Sequence, residues 1–294
     1  MSVTRLFVEA DLAAGIEAPL GEAQVHYLRH VMRRPDGAPL LLFNGRDGEW
    51  QAALAARGKK SAVAEVGDQT RAQAADPDVW LCFAPVKRAR IDYIAEKATE
   101  LGVSVLQPVL TRHTAVERVN VERLRANAIE AAEQTERLSV PEICAPVDLS
   151  RLLATWPVGR RLLMCDETGG GPPIADALGG LDATARAAPW AIMIGPEGGF
   201  AAEELAALRR IRDVMAVGLG PRILRADTAA LAALACWQAL VGDWRKPTPR
   251  LHADLENWRA SGLTKVNDEP WLNVSAGMGM SPFAPIRFAC PPEV

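Results

Sequence analysis

Two glycine-bearing turns, each set between an apolar run and a helix-like stretch, limit what this chain can fold into. Trp190-Ala191-Ile192-Met193-Ile194 runs into Gly195-Pro196-Glu197-Gly198-Gly199-Phe200, and a helical pattern follows over residues 201 to 212. Val214-Met215-Ala216-Val217 runs into Gly218-Leu219-Gly220-Pro221-Arg222-Ile223-Leu224-Arg225-Ala226-Asp227, and a second helical pattern follows from Thr228 over residues 228 to 241. Short apolar runs that end in glycine and lead into helices are strand–loop–helix units of a parallel sheet. Ligands of such sheets bind in the loops beyond the carboxyl ends of the strands.

Neither loop suits a polyphosphate. No Lys-Ser/Thr pair follows the glycines, and Ile223 stands where a dinucleotide fingerprint needs its third glycine. Glu203 and Glu204 open the helix after the first loop, where they suit the helix dipole and would repel a phosphate. A neutral or cationic ligand with an adenine-like face, read by backbone groups, fits better.

With the second motif running on through Thr228-Ala229, these residues resemble the RsmE family, within the knotted (SPOUT-class) RNA methyltransferases. The resemblance takes in Lys87-Arg88 with Thr99-Glu100-Leu101-Gly102-Val103, and Ala131-Ala132-Glu133-Gln134 with Arg137. It also takes in His30-Val31-Met32-Arg33 with Gly37, and so spans residues 3 to 245. It implies an α/β fold: a parallel-sheet SPOUT domain over residues 73 to 245, with a trefoil knot over residues 160 to 242. A PUA-like RNA-binding β-barrel over residues 1 to 72 and a homodimer with shared active sites are implied with it. The implied reaction is S-adenosyl-L-methionine-dependent methylation of N3 of a uridine in 16S ribosomal RNA, within the small ribosomal subunit. The cofactor-binding residues would be Ile194, Gly195, Pro196, Glu197, Gly198, Leu219, Gly220, Ile223, Leu224 and Thr228. The alternatives are a related SPOUT methyltransferase acting on another base or a ribose, and an RNA-binding module without catalysis.

The chemistry narrows the catalytic candidates. Uracil N3 carries a proton at neutral pH, so a carboxylate to accept it and a cation to stabilise the imide anion are both useful. Arg225 and Asp227 fall where the family has Arg-x-Glu-Thr-Ala, with Asp in place of Glu. Asp227 is also a plausible helix N-cap, Arg225 could serve in a plain salt bridge, and Glu197 and Arg222 read as loop-ordering residues.

The 294 residues allow one or two domains, and a net charge of -3 confines any RNA contact to local patches. A helix over residues 22 to 33 should bury Val25, Leu28, Val31 and Met32 and present Arg29, His30, Arg33 and Arg34 outward. Lys87, Arg88 and Arg90 open a helix at its positive end, which points to an outside anion such as RNA phosphate. His26 and His30 lack the Glu of a metalloprotease motif, and five scattered cysteines (Cys82, Cys144, Cys165, Cys236, Cys290) suggest reduced thiols and no metal. Without a signal-peptide pattern or a membrane-length apolar run, a cytoplasmic protein is expected. Residues 72 to 78 read as a linker, and residues 246 to 294 as a Pro-rich extension of unknown role.

Overall fold

In the computed structural model, residues 3–58, 61–116, 118–166 and 168–246 are described, so most of the expected extension lies outside them. The first sheet contains β1 (Thr4–Phe7), β2 (Glu17–Pro19), β3 (Pro39–Phe43), β4 (Glu49–Ala56) and β5 (Ala62–Arg71) in the order β1-β3-β4-β5-β2. The Asn-Gly-Arg-Asp-Gly stretch turns β3 into β4 because the Asn44 side-chain oxygen accepts from the N–H groups of Arg46 and Asp47. Gly48, at φ +82°, has no room for a side chain: a Cβ there would lie 2.2 Å from the Arg71 carbonyl oxygen. Leu6, Val8, Leu40, Leu42, Leu54 and Ala64 fill the core of this unit.

The helix expected over residues 22 to 33 is shorter and less regular. An α-helical turn, α1 (Glu22–His26), passes directly into a π-helical turn, Tyr27–Val31. The wider turn rotates the later side chains off the apolar face. Val25 and Leu28 are buried as expected, whereas Val31 and Met32 are exposed. Arg33 leaves the helix in the left-handed region at φ 52°.

The second sheet is parallel throughout. Its strands are β6 (Val79–Phe83), β7 (Val105–Leu110), β8 (Glu142–Ile143), β9 (Val147–Asp148), β10 (Arg161–Cys165), β11 (Trp190–Ile194) and β12 (Val214–Val217). They run in the order β12-β10-β11-β6-β7-β8, with β9 also paired to β7. Alternate side chains serve opposite faces. Leu81, Leu163 and Ile192 meet α2 (Arg88–Glu100), α3 (Val121–Gln134), α5 (Ile174–Gly179) and α8 (Ala226–Leu240) in one core. Cys82, Met164 and Met193 pack on the other face with α4 (Leu149–Ala154) and α7 (Ala202–Leu208). A sixth short helix in chain order, α6 (Ala183–Ala187), precedes β11. The expected α/β alternation with both sheet faces covered is thus observed.

Helix α3 stops at Gln134, and the chain turns at Glu136 with φ 63°. Thr135 is exposed at the C-cap. The residues after α3 clasp the first sheet. Buried Arg5 on β1 pairs with Glu49 at 2.7 Å and donates to the carbonyls of Ala132, at 2.7 Å, and Arg137. Arg137 in turn donates to Thr99 O and to the Asp76 carboxylate, both at 2.6 Å, so the stretch read as a linker is anchored. Among the described residues Cys82, Cys144 and Cys236 form no disulfide, and burial pushes the Cys82 thiol up to about 12. No helix among the described residues is long and apolar enough to cross a membrane.

Glu133 lies in the same clasp and accepts the Phe7 N–H at 2.9 Å. Burial pushes its carboxyl up to about 7, against the opposing effects of the Phe7 N–H and the Arg5 charge. A folded-state acid with a raised pKa holds its proton when the unfolded chain has lost it. Its contribution therefore falls as pH rises from its ordinary value towards 7. Urea unfolding of wild type and Glu133→Gln at pH 5 and pH 8 measures this. The variant keeps the Phe7 acceptor and should gain stability relative to wild type at pH 8, on the order of 2–3 kcal/mol.

Candidate active site

The order of the parallel strands brings several loops to one edge of the sheet. β11 and β12 flank β10, so their glycine loops lie on either side of the loop that leaves β10. In the first loop Gly199 adopts φ 71° and donates to Pro196 O at 2.9 Å, closing a tight turn. Phe200 folds back beneath it, buried, so near that a Cβ on Gly195 would lie 2.8 Å from its ring. Glu204 caps α7 by accepting from Ala201 N at 2.9 Å, and its other oxygen accepts from Arg112 N at 2.8 Å. His113 donates from Nδ1 to Gly199 O at 2.9 Å.

The second loop is pinned by its neighbour. Gly218 N–H donates to Pro172 O at 2.9 Å, and Ile174 N–H donates to Gly218 O at 3.1 Å. Gly171 passes β12 so closely that a Cβ would stand 2.5 Å from Ala216 O. Buried Asp166 anchors the start of this third loop. It accepts from the Thr168 N–H and hydroxyl at 2.9 and 2.6 Å and from Arg209 at 3.0 Å. Burial acts to raise the Asp166 carboxyl, but these hydrogen bonds and the Arg209 charge outweigh it and hold it below the usual range.

This third loop, with Gly169-Gly170-Gly171, and the His113 loop after β7 were both missed as parts of the site from sequence. Their signal was present, since each follows an apolar strand and one has three consecutive glycines.

Of the expected cofactor residues, Ile194 is buried, Gly195, Pro196, Leu219 and Leu224 are half-buried, and Glu197, Gly198, Gly220, Ile223 and Thr228 are exposed. The N–H groups of Gly220, Ile223 and Leu224 have no protein acceptor among the described residues. Gly220 sits at φ +94° and opens onto free space. Backbone donors on an open cradle suit a ring such as adenine. Glu197 adds a negative charge suited to a cationic ligand.

Asp227 is not an N-cap. The helix begins before it: Arg225 takes the N-cap position without a side-chain cap, its carbonyl accepting from Ala229 N at 2.7 Å, and Asp227 lies in the first turn. Buried Ala226 draws the chain into helical geometry before the charged residue is reached. Asp227 Oδ1 accepts the Thr228 N–H at 2.9 Å, and Oδ2 lies 3.8 Å from Arg90 Nε. Arg90 also pairs with Glu197 at 2.5 Å, so its partners in the structure are internal carboxylates. Exposed Arg225, Arg222 and Lys87 have no carboxylate partner among the described residues, so the plain salt bridge considered for Arg225 is not formed there.

The basic stretch after α1 is partly engaged with itself. Arg29 pairs with Asp36, and Arg34 donates to Thr4 Oγ1 at 3.3 Å. Arg33 is exposed, and the rings of exposed His26 and His30 lie 5.0 Å apart. Among the described residues no three His, Cys, Asp or Glu side chains converge as a metal site would need.

Residues 74–238 match the family described as RNA methyltransferase domain, and residues 20–67 match the RNA methyltransferase PUA domain. The ribosomal RNA small subunit methyltransferase E of Rickettsia conorii is 31% identical over 241 residues, covering 80% of this chain and 95% of that protein. The Synechocystis protein of the same name is 31% identical over 241 residues, covering 81% of this chain and 78% of its own. Among solved structures, that of the Neisseria gonorrhoeae methyltransferase E bound to S-adenosyl methionine aligns with TM-score 0.72 and 28% identity. It covers 83% of this chain and all of that one. A methyltransferase from Legionella pneumophila in complex with the same cofactor aligns equally well, at 26% identity. Strand order, glycine loops and overall similarity agree: this chain belongs to the ribosomal RNA small subunit methyltransferase E family.

Proposed function

We propose that this chain transfers a methyl group from S-adenosylmethionine to N3 of a uridine in 16S ribosomal RNA, within the small ribosomal subunit. The observation that carries the reading is the delivery of three glycine loops by adjacent strands β10, β11 and β12 to one edge, with Arg225 and Asp227 beside them. In the proposed division of labour, residues 1–72 bind RNA, residues 73–245 bind cofactor and react, and residues 246–294 have no assigned role. A trefoil-knotted path over residues 160–242, a homodimer and a cytoplasmic location belong to the same reading.

The residues suited to hold the cofactor are the backbone of 194–198 and 219–224 with Thr228. When bound, it supplies an electrophilic methyl group on a sulfonium centre, and the enzyme aligns the reactants. Asp227 Oδ2 would accept the N3 proton, leaving an electron pair on N3 to take the methyl group as its bond to sulfur breaks and that bond's electrons stay on sulfur as a neutral thioether. Arg225, exposed at the start of α8, stabilises the negative charge that spreads to the uracil oxygens. The N-terminal turns of α2 and α8 add positive potential beside it. That the two helices run parallel, with these turns together, follows from two contacts. Arg90 meets Asp227 at their starts, and Gln238 Nε2 donates to Leu101 O at 2.6 Å at their far ends.

Gly198 is exposed, and a Cβ there would come within 3.3 Å of His113 Cβ. Gly198→Val should weaken S-adenosylmethionine binding by about 100-fold or more in calorimetry, comparable to about 3 kcal/mol, with near-native circular dichroism. Native affinity would remove the site assignment.

For Asp227, single-turnover methylation separates the roles. Asp227→Asn should be slowed by about 100-fold or more at saturating cofactor, because an amide cannot accept the proton. Asp227→Glu, restoring the residue of the resembled family, should stay active. An Asn variant as fast as wild type would end the acid–base role.

Because Arg29 is paired with Asp36, exposed Arg33 is the cleaner probe of the RNA surface. Arg33→Glu should weaken RNA binding at every salt concentration and lower the slope of log K against log salt by about one. Cofactor affinity should not change.

A further inference from the structure

Arg90 stands where its own helix least favours a cation. It lies in the first turn of α2, whose N-terminal end carries partial positive charge. Two carboxylates from distant parts of the chain offset this: Glu197 of the first glycine loop at 2.5 Å and Asp227 of α8 at 3.8 Å. The guanidinium is therefore the link between the loop after β11 and the carboxylate beyond β12. These strands are not neighbours in the sheet, because β10 separates them.

The two oxygens of Asp227 have different surroundings. Oδ1 is engaged by the Thr228 N–H at 2.9 Å, and Oδ2 faces Arg90. The Asp227 side chain is 16% exposed, against 53% for Glu197, so Arg90 joins an enclosed carboxylate to an open one. The far ends of α2 and α8 are held by the Gln238–Leu101 hydrogen bond, and Arg90 is the charged contact at their near ends, above the apolar core that Ile91 and Ala226 share.

We propose that Arg90 is a positioning residue: it directs Asp227 Oδ2 towards the substrate and, through Glu197, makes that placement depend on the order of the cofactor loop. The inference rests on Asp227 being the proton acceptor. Lysine is a poor replacement, because a single ammonium cannot span two carboxylates as a planar guanidinium does.

The test is single-turnover methylation at saturating cofactor with Arg90→Gln, Arg90→Lys, Glu197→Gln, Asp227→Asn and the Arg90→Gln/Asp227→Asn double variant, with calorimetry and melting curves beside them. Arg90→Gln should slow transfer by about 10- to 100-fold, the size expected of a misplacement near 1 Å. Arg90→Lys should recover only part of the loss, and Glu197→Gln should show a smaller slowing of the same kind. The double variant should be no slower than Asp227→Asn within about threefold, since two residues acting through one function are not additive. Cofactor affinity in Arg90→Gln should stay within about threefold of wild type, a difference under about 1 kcal/mol. A wild-type rate for Arg90→Gln beside a slow Asp227→Asn would overturn the inference and leave Asp227 in its role. Multiplicative losses would also overturn it. A wild-type rate for Asp227→Asn would remove the acid–base reading and this inference together. If Arg90→Gln melts early, Arg90→Lys and Glu197→Gln decide: wild-type rates in both refute the positioning role.

Discussion

The site depends on a close approach of backbone to backbone. Gly171 runs against the end of β12 at a distance that excludes any side chain, and Gly218 is hydrogen-bonded to both Pro172 and Ile174. One loop is thus built on another. Because β10 lies between β11 and β12, its loop leaves the sheet between the two flanking loops, and the second of them is bonded to it. A cradle of this kind needs glycine for access and for contact, and it leaves backbone donors to do the recognition.

Helices α2 and α8 supply the second constraint. Ala95, Ala98, Ala230 and Ala233 are all fully buried in the same core, and small side chains let helices approach closely. Gly102 ends α2 at φ +83° under the Gln238 side chain, where a Cβ would come within 2.8 Å of Nε2. Charged residues at the other end are therefore placed by apolar packing and not by their own attraction. Arg90 reaches Glu197 and Asp227 because its helix has no freedom to carry it elsewhere.

Much of this was legible in the chain. Apolar runs ending in glycine gave the parallel strands, and the resemblance carried by residues 194–200 and 219–229 gave the family. Three features were not legible because they depend on contacts distant in sequence. The π turn at Tyr27–Val31 breaks the 3.6-residue period that placed Val31 and Met32 inside. The start of α8 moves ahead of Asp227 because Ala226 is buried by tertiary packing, which local capping preference cannot register. The partners of Arg90 come from residues 107 and 137 positions away, and a charge at a helix start gives no sign of which carboxylate will meet it.

The clasp around Arg5 and Arg137 has a consequence for selectivity. Buried hydrogen bonds tie β1 to the end of α3, and Arg137 ties the same point to the end of α2 and to Asp76. The first sheet is therefore fastened to the second and not hung from a tether. Under the proposed function, a strand of RNA held at Arg33 would meet the glycine loops at a separation fixed by the fold. Such an enzyme measures: the target nucleotide is chosen by its reach from an anchoring point, as by calipers, and the identity of the intervening bases matters less than the shape that spans the gap.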